Sequence, residues 1–315
     1  MKVWLDAVTF GVALALGLTL YPPLIRALRG LKAGQVIQEE LPEAHQRKRG
    51  TPTGGGVLFA GLGLVGGLLA AAAGHPGALP VVVGILGGGL IGVLDDLSKL
   101  RRGSIGIPAR AKFPVQILIA IPVAAAALAA GGGDQLLFGS MSPLWYWPLA
   151  ILALVGTANA VNLTDGLDGL AGSVAAIALV AILEFLPGTS AGEKAGGISL
   201  LGVLIAFLVF NRHPAKVFMG DAGSLALGYA LAAMAIQQHL LVLLPLLGLV
   251  FVLEAASVMI QVASFKATRK RVFRMAPIHY TFQLAGWSEN RITLAFALTG
   301  LVAAAAAVLV VQPWA

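Results

Sequence analysis

Acidic residues are few in this sequence, and several of them fall in short strings whose chemistry points to a hard cation. Asp95 and Asp96 stand side by side in Gly92-Val93-Leu94-Asp95-Asp96-Leu97-Ser98-Lys99. Asp165 and Asp168 stand three apart in Asn162-Leu163-Thr164-Asp165-Gly166-Leu167-Asp168-Gly169, and Asp221 ends Val217-Phe218-Met219-Gly220-Asp221. Carboxylates brought to one surface repel unless a cation sits among them, and their hard oxygens suit Mg²⁺. Mg²⁺ takes one or two carboxylates, keeps several waters and completes its shell with phosphate oxygens, so the implied chemistry is displacement at a pyrophosphate. A plainer account competes for some of these residues. Asp165, Asp168 and Asp221 open apolar runs, where a carboxylate complements a helix dipole without any ligand. Asp95 and Asp96 close such a run, where the dipole opposes them, and so call for another reason.

Other residues add to the set. Arg49-Gly50-Thr51-Pro52-Thr53-Gly54-Gly55-Gly56, preceded by Lys48, reads either as a phosphate-cradling loop or as a turn into a glycine-packed helix. His279, in Pro277-Ile278-His279-Tyr280-Thr281, can bind a phosphate or shuttle a proton, or be plain polar surface. The cluster Lys266, Arg269, Lys270, Arg271 and Arg274 suits anionic lipid. Glu254 lies inside an apolar run, where an ionisable residue is either functional or a bridge between helices, with Gln261 two turns further on.

The elements that must position these residues are membrane spans. Of 315 residues, 58% are hydrophobic and 11% charged, and there is no cysteine, which excludes disulfides and thiolate chemistry. Runs such as Val81 to Leu94 are apolar on every face, unlike barrel strands, and abundant Gly suits close helix packing in lipid. At close to 20 apolar residues per span, about ten spans are expected. They fall near 4–25, 54–73, 79–94, 113–131, 144–162, 167–187, 195–210, 222–237, 239–263 and 292–312. The first reads as a retained span, with Trp145 and Trp147 as interfacial anchors of the fifth. Of the 21 Lys and Arg residues, all but Lys2 and Lys194 fall in connections 26–53, 95–112, 163–166, 211–221 and 264–291. Basic loops face the cytoplasm, so both termini should lie outside and every acidic string inside. The reading is a single domain over 1–315, an all-α polytopic membrane protein with its active site on the cytoplasmic face. The net charge of +7 needs no nucleic acid, since topology and anionic lipid account for much of it.

Taken in order, Lys48-Arg49-Gly50-Thr51-Pro52-Thr53-Gly54, Asp95-Asp96-Leu97-Ser98-Lys99, the string from Asn159 to Leu170, Val217 to Asp221, and Ala276-Pro277-Ile278-His279 with Gly286-Trp287 resemble the polyprenyl-phosphate N-acetylhexosamine-1-phosphate transferases over nearly the whole chain. Within that family the likeness is to the branch with a muramoyl-pentapeptide donor. It implies a multi-pass enzyme of the cell inner (cytoplasmic) membrane. Its reaction would pass phospho-MurNAc-pentapeptide from UDP-MurNAc-pentapeptide to undecaprenyl phosphate, giving lipid I and UMP in peptidoglycan synthesis. Mg²⁺ would be the cofactor, with membrane lipid and a second copy of the chain as further partners.

Carried over by position, the resemblance makes Asp221 the metal ligand, Asp95 and Asp96 the catalytic acidic pair with Asp95 as base, and Lys99 a phosphate holder. Gly166, Leu167, Asp168 and Phe218 form the uridine pocket, Phe218 stacking on the base with Lys48 nearby. Asp165, Asn211, Gln261 and His279 line the rest of the donor site, and Thr53 and Asn162 also bind substrate. The chain departs from the family in reading His279-Tyr280-Thr281 where three histidines are usual. Competing readings are a sister transferase using UDP-GlcNAc, a secondary transporter of an anionic solute with Glu254 at its midplane, and an inactive scaffold.

Overall fold

The computed structural model describes residues 2–31, 48, 50–102, 106–132, 135–136 and 139–311. Lys32, Arg47 and Arg49, counted above in the first basic connection, lie outside the described residues. In chain order the helices are α1 (Lys2–Gly30), α2 (Gly56–Ala72), α3 (Leu79–Arg102), α4 (Ala109–Ala129), α5 (Pro143–Thr164), α6 (Leu170–Val180) and α7 (Ala191–Asn211). They continue with α8 (Asp221–Gln237), α9 (Leu244–Leu247), α10 (Leu249–Thr268), α11 (Ile278–Leu284) and α12 (Glu289–Val311). A two-residue antiparallel ladder, β1 (Gln135–Leu136) with β2 (Gly139–Ser140), bridges α4 and α5.

Among the described residues, seven helical stretches are long and apolar enough to cross a membrane: Trp4–Gly30, Pro76–Arg101, Ala109–Ala129, Pro143–Thr164, Ala191–Asn211, Leu249–Thr268 and Glu289–Val311. Gly56–Ala72 and Leu170–Phe185 are shorter apolar helices. The run expected at 239–263 is broken, because Gly248 separates α9 from α10. The run expected from 167 starts at Leu170, because the Asp165–Gly169 segment is a turn.

The bundle is organised around α8. Every residue from Asp221 to Gln237 is buried, and the helix packs against α2, α3, α4, α5 and α6. Its sequence, DAGSLALGYALAAMAIQ, is dominated by small side chains, which lets neighbouring backbones approach. α3 does so along one row. Gly84, Gly88 and Gly92 recur every fourth residue, the spacing that keeps them on one helix face. A Cβ at Gly88 would lie 2.6 Å from the Leu225 carbonyl oxygen, and one at Gly92 would lie 2.3 Å from that of Asp221. Any side chain there would force the two helices apart. The next residue in the row is Asp96, and the close approach set by the glycines delivers its carboxylate to the first turn of α8.

Candidate active site

Gly220 precedes α8 with φ 76° and has no side chain to cap it. Asp96 supplies the cap from α3, accepting the backbone N–H of Asp221 at 3.0 Å and of Ala222 at 3.1 Å. These are two of the donors that the start of a helix leaves without partners. With the backbone so held, the Asp221 carboxylate meets two ammonium groups. Lys99 Nζ lies 2.7 Å from Oδ1 and Lys112 Nζ 2.5 Å from Oδ2. Asn162 Nδ2 donates to Oδ1 at 3.0 Å and also to Ser224 Oγ at 2.8 Å.

Asp95 stands behind the lysines. Only 2% exposed, it accepts the Ile107 N–H at 2.6 Å on Oδ1, while Oδ2 lies 2.9 Å from Lys99 and 3.5 Å from Lys112. Carboxylates and ammonium groups therefore alternate, and each lysine is aimed by two acids. Asp165 adds a further carboxylate. Burial, then the charges of Asp221 and Asp96, hold its pKa well above the usual carboxylate range. The donor set fits a divalent cation: Asp221 offers hard oxygens in a place that already stabilises two positive charges, with further carboxylates adjoining.

A second group lies beside the first. Lys48 Nζ sits 2.7 Å from Asp168 Oδ1 and 2.7 Å from Glu289 Oε2, and 5.8 Å from the centroid of the Phe218 ring. Asp168 Oδ2 meets His213 Nδ1 at 2.8 Å and accepts the Ala215 N–H at 3.1 Å. Asp168, His213 and Glu289 present ligand atoms within 4.8 Å of one another, but the Lys48 ammonium supplies the positive charge between the two carboxylates. The half-buried Phe218 ring beside this charged wall offers a planar group a stacking face and hydrogen-bonding neighbours.

Backbone anchors fix this pocket. Asn211 Oδ1 accepts the Gly169 N–H at 2.9 Å while its Nδ2 donates to the Val217 carbonyl at 2.9 Å. Both ends of this amide are thus engaged in tying the Asp165–Gly169 turn to the segment before α8. Gln261 is engaged likewise: its Oε1 accepts the Val272 and Phe273 N–H groups and its Nε2 donates to the Phe273 carbonyl, each at 3.0 Å. The glycine-rich stretch resolves into packing. Phe218 N–H donates to the Pro52 carbonyl, and the Gly55 and Gly56 N–H groups donate to the carbonyls of Phe218 and Met219, at 2.8 to 2.9 Å. Those N–H groups hold the strand-like segment before Asp221 and are not offered to a phosphate. Thr53 Oγ1 faces Gly220, 3.1 Å from where a Cβ would stand.

His279 Nδ1 lies 3.1 Å from Glu254 Oε2, both side chains wholly buried. The other edge of the His279 ring faces Gly166, and Leu167 beside it is buried. The sequence points to Lys48, Asp95, Asp96, Lys99, Asp165, Asp168 and Asp221, which the fold gathers at one end of the bundle. It does not point to Lys112, His213 or Glu289. In the sequence the first is only a basic loop residue, and each owes its place to a partner more than 40 positions away.

Residues 78–239 match Glycosyl transferase family 4. The chain is 44% identical over 312 residues to a protein of Heliobacterium modesticaldum named phospho-N-acetylmuramoyl-pentapeptide-transferase, covering 96% of this chain and 97% of that one. It is 41% identical to a protein of the same name from Shouchella clausii, covering 96% of each. A third so named, from Moorella thermoacetica, is 41% identical over 94% of this chain and 95% of its own.

Proposed function

The chain belongs to the phospho-N-acetylmuramoyl-pentapeptide-transferases of Glycosyl transferase family 4, and from that premise we propose that it moves phospho-MurNAc-pentapeptide from UDP-MurNAc-pentapeptide to undecaprenyl phosphate, releasing UMP and forming lipid I. The observation that carries this reading is the Asp221 carboxylate between the Lys99 and Lys112 ammonium groups, at the same end of the bundle as the Lys48 pocket. A nucleotide diphosphate sugar needs both: a planar pocket for the base and cationic groups for the phosphates.

In this reading uracil stacks on Phe218, with Lys48, Asp168 and Glu289 along its edge. The turn from Asp165 to Gly169 leads to the diphosphate, which Lys99 and Lys112 receive. Asp221 would hold Mg²⁺, which when bound neutralises charge on the diphosphate oxygens. An oxygen of the lipid phosphate attacks the sugar-bearing phosphorus. The new P–O bond forms as the bond to the UMP oxygen breaks, and the electron pair leaves with UMP. Asp95, expected from the resemblance to act as base, has both oxygens engaged by Ile107 and the lysines. The lipid phosphate is already anionic, so positioning and charge neutralisation serve where proton removal is not needed. Asp95 then aims the lysines, and Asp96 places Asp221.

The reading also assigns orientation. Asp96 and Asn162 lie toward the C-terminal ends of α3 and α5, Asn211 ends α7, and Asp221 and Glu289 begin α8 and α12. All belong to one end of the bundle, which the basic connections assign to the cytoplasm, with about ten spans and both termini outside. UMP release from UDP-MurNAc-pentapeptide and undecaprenyl phosphate, with and without Mg²⁺ and beside Asp221→Ala, tests it. Release that needs both Mg²⁺ and Asp221 supports the assignment, whereas turnover of UDP-GlcNAc in place of the muramoyl donor would overturn it.

A further inference from the structure

Glu254 sits in the first half of α10, within an apolar stretch long enough to cross the membrane, and is wholly buried. Its one ion-pair partner among the described residues is His279, also wholly buried, with Oε2 3.1 Å from Nδ1. The far atoms of the pair, Glu254 Oε1 and His279 Nε2, are buried without a hydrogen-bond partner. Nε2 packs against Gly166, where an added Cβ would collide with it. Gly166 belongs to the turn that carries Asp165 and Asp168.

The protonation state of this pair follows from charge. A buried pair with no third partner is costly unless its net charge is zero. Two arrangements meet that condition without placing a proton on the partnerless Oε1. In one, an imidazolium faces a carboxylate; in the other, a carboxylic acid donates to a neutral Nδ1. Both leave a proton on Nε2. Of the remaining arrangements, neutral His279 donating from Nδ1 to ionised Glu254 leaves a bare negative charge in the interior, and neutral His279 donating to a carboxylic acid protonated on Oε1 strands that buried hydroxyl without an acceptor. We infer that Glu254 is a positioning residue that keeps His279 Nε2 protonated and aimed past Gly166, so that it donates a hydrogen bond to an anionic oxygen of the bound donor. The groups facing this corner are Asp165, Glu254 and Glu289 together with the Tyr280 phenol, whose ring lies 4.1 Å from that of His279. With carboxylates on several sides, the Nε2–H is a well-placed complement for a phosphate or pyrophosphate oxygen. The identity of that oxygen rests on the proposed transfer reaction; the state of the dyad does not.

The full chain, purified in detergent and ¹⁵N-labelled at its five histidines, separates the two claims. His279→Gln assigns the signal, and the wild-type spectrum at neutral pH should show His279 protonated at Nε2. An unprotonated Nε2 there overturns the inference whether or not the chain turns over any donor. Kinetics supply the second reading. Glu254→Leu should lower kcat/KM by about 10- to 100-fold, the usual effect of removing a group that orients a functional histidine. Glu254→Gln, whose amide can still donate to Nδ1 and leave the proton on Nε2, should retain more activity. Combining Glu254→Leu with His279→Gln should cost no more than His279→Gln alone, because Glu254 acts through the ring. Additive losses in protein of unchanged thermal midpoint would overturn it. If the wild type releases no UMP, the transfer reading falls and the spectrum still decides the dyad.

Discussion

Asp96 caps a helix to which it does not belong: its two carboxylate oxygens take the N–H groups of Asp221 and Ala222, at 3.0 and 3.1 Å, across the α3–α8 contact. The acidic pair therefore divides its work. Asp95 faces the lysines, while its neighbour sets the backbone from which the Asp221 carboxylate projects.

Replacing Asp96 with Asn tests this division. One oxygen becomes an NH₂ group that confronts a backbone N–H, and the first turn of α8 must shift to relieve it. We expect UMP release to fall by about 100-fold, the effect of misplacing a reacting group by roughly 1 Å. The thermal midpoint should fall as well, since a lost cap costs about 1 kcal/mol. A variant with full activity would show that Asp221 needs no help from α3.

In the proposed reaction Lys112, which pairs with Asp221 in the structure, and a divalent cation call on the same carboxylate. Lys112→Met should tighten Mg²⁺ binding by about tenfold, the scale of one partly desolvated charge pair, while slowing UMP release because one phosphate-facing charge is gone. Thermal shift against Mg²⁺ concentration measures the first effect and product release the second. Unchanged Mg²⁺ affinity would mean that the ammonium does not compete.

Asp165 gives the metal-free protein a pH dependence of definite sign. Its folded pKa is raised, so between the ordinary carboxylate pKa and that raised value the folded state holds a proton the unfolded chain has lost. Stability then falls as pH rises through that window. Asp165→Asn should flatten the decline and raise the thermal midpoint at neutral pH relative to the wild type, with a smaller gain in mild acid, while lowering transfer. A midpoint that drops in the variant at neutral pH would contradict this sign.

Lys48 compensates two buried carboxylates at once. Lys48→Met leaves Asp168 and Glu289 facing each other without it, which costs about 3–5 kcal/mol of stability, and the KM for the donor should rise. Adding Glu289→Gln should restore much of the thermal midpoint without restoring the KM. If both recover together, the lysine serves the fold and not the nucleotide.

The helical character and the principal acids could be read from composition and from where the acids punctuate apolar runs. The partners could not. Lys112 and Glu289 lie 109 and 241 positions from the residues they bind, and no local periodicity reports such pairs. The glycine-rich stretch before α2 carries the letters of a phosphate loop, yet its N–H groups go to Phe218 and Met219, a choice made only when α2 docks on α8. The break at Gly248 was equally hidden, since an apolar run looks continuous whether or not its backbone turns.

The burial of α8 also shields Asp221 from the dimensions of its solvent. Bilayers of different thickness act on spanning helices by making them tilt until hydrophobic lengths match. At 17 residues, or about 25 Å, α8 is shorter than a bilayer core, but with all of its residues covered by protein it has no hydrophobic length to match. Its surroundings are other helices, closest along the glycine row of α3. Asp221 is therefore referenced to the protein and not to the lipid, and a thinner or thicker membrane reaches it only through the helices that surround α8.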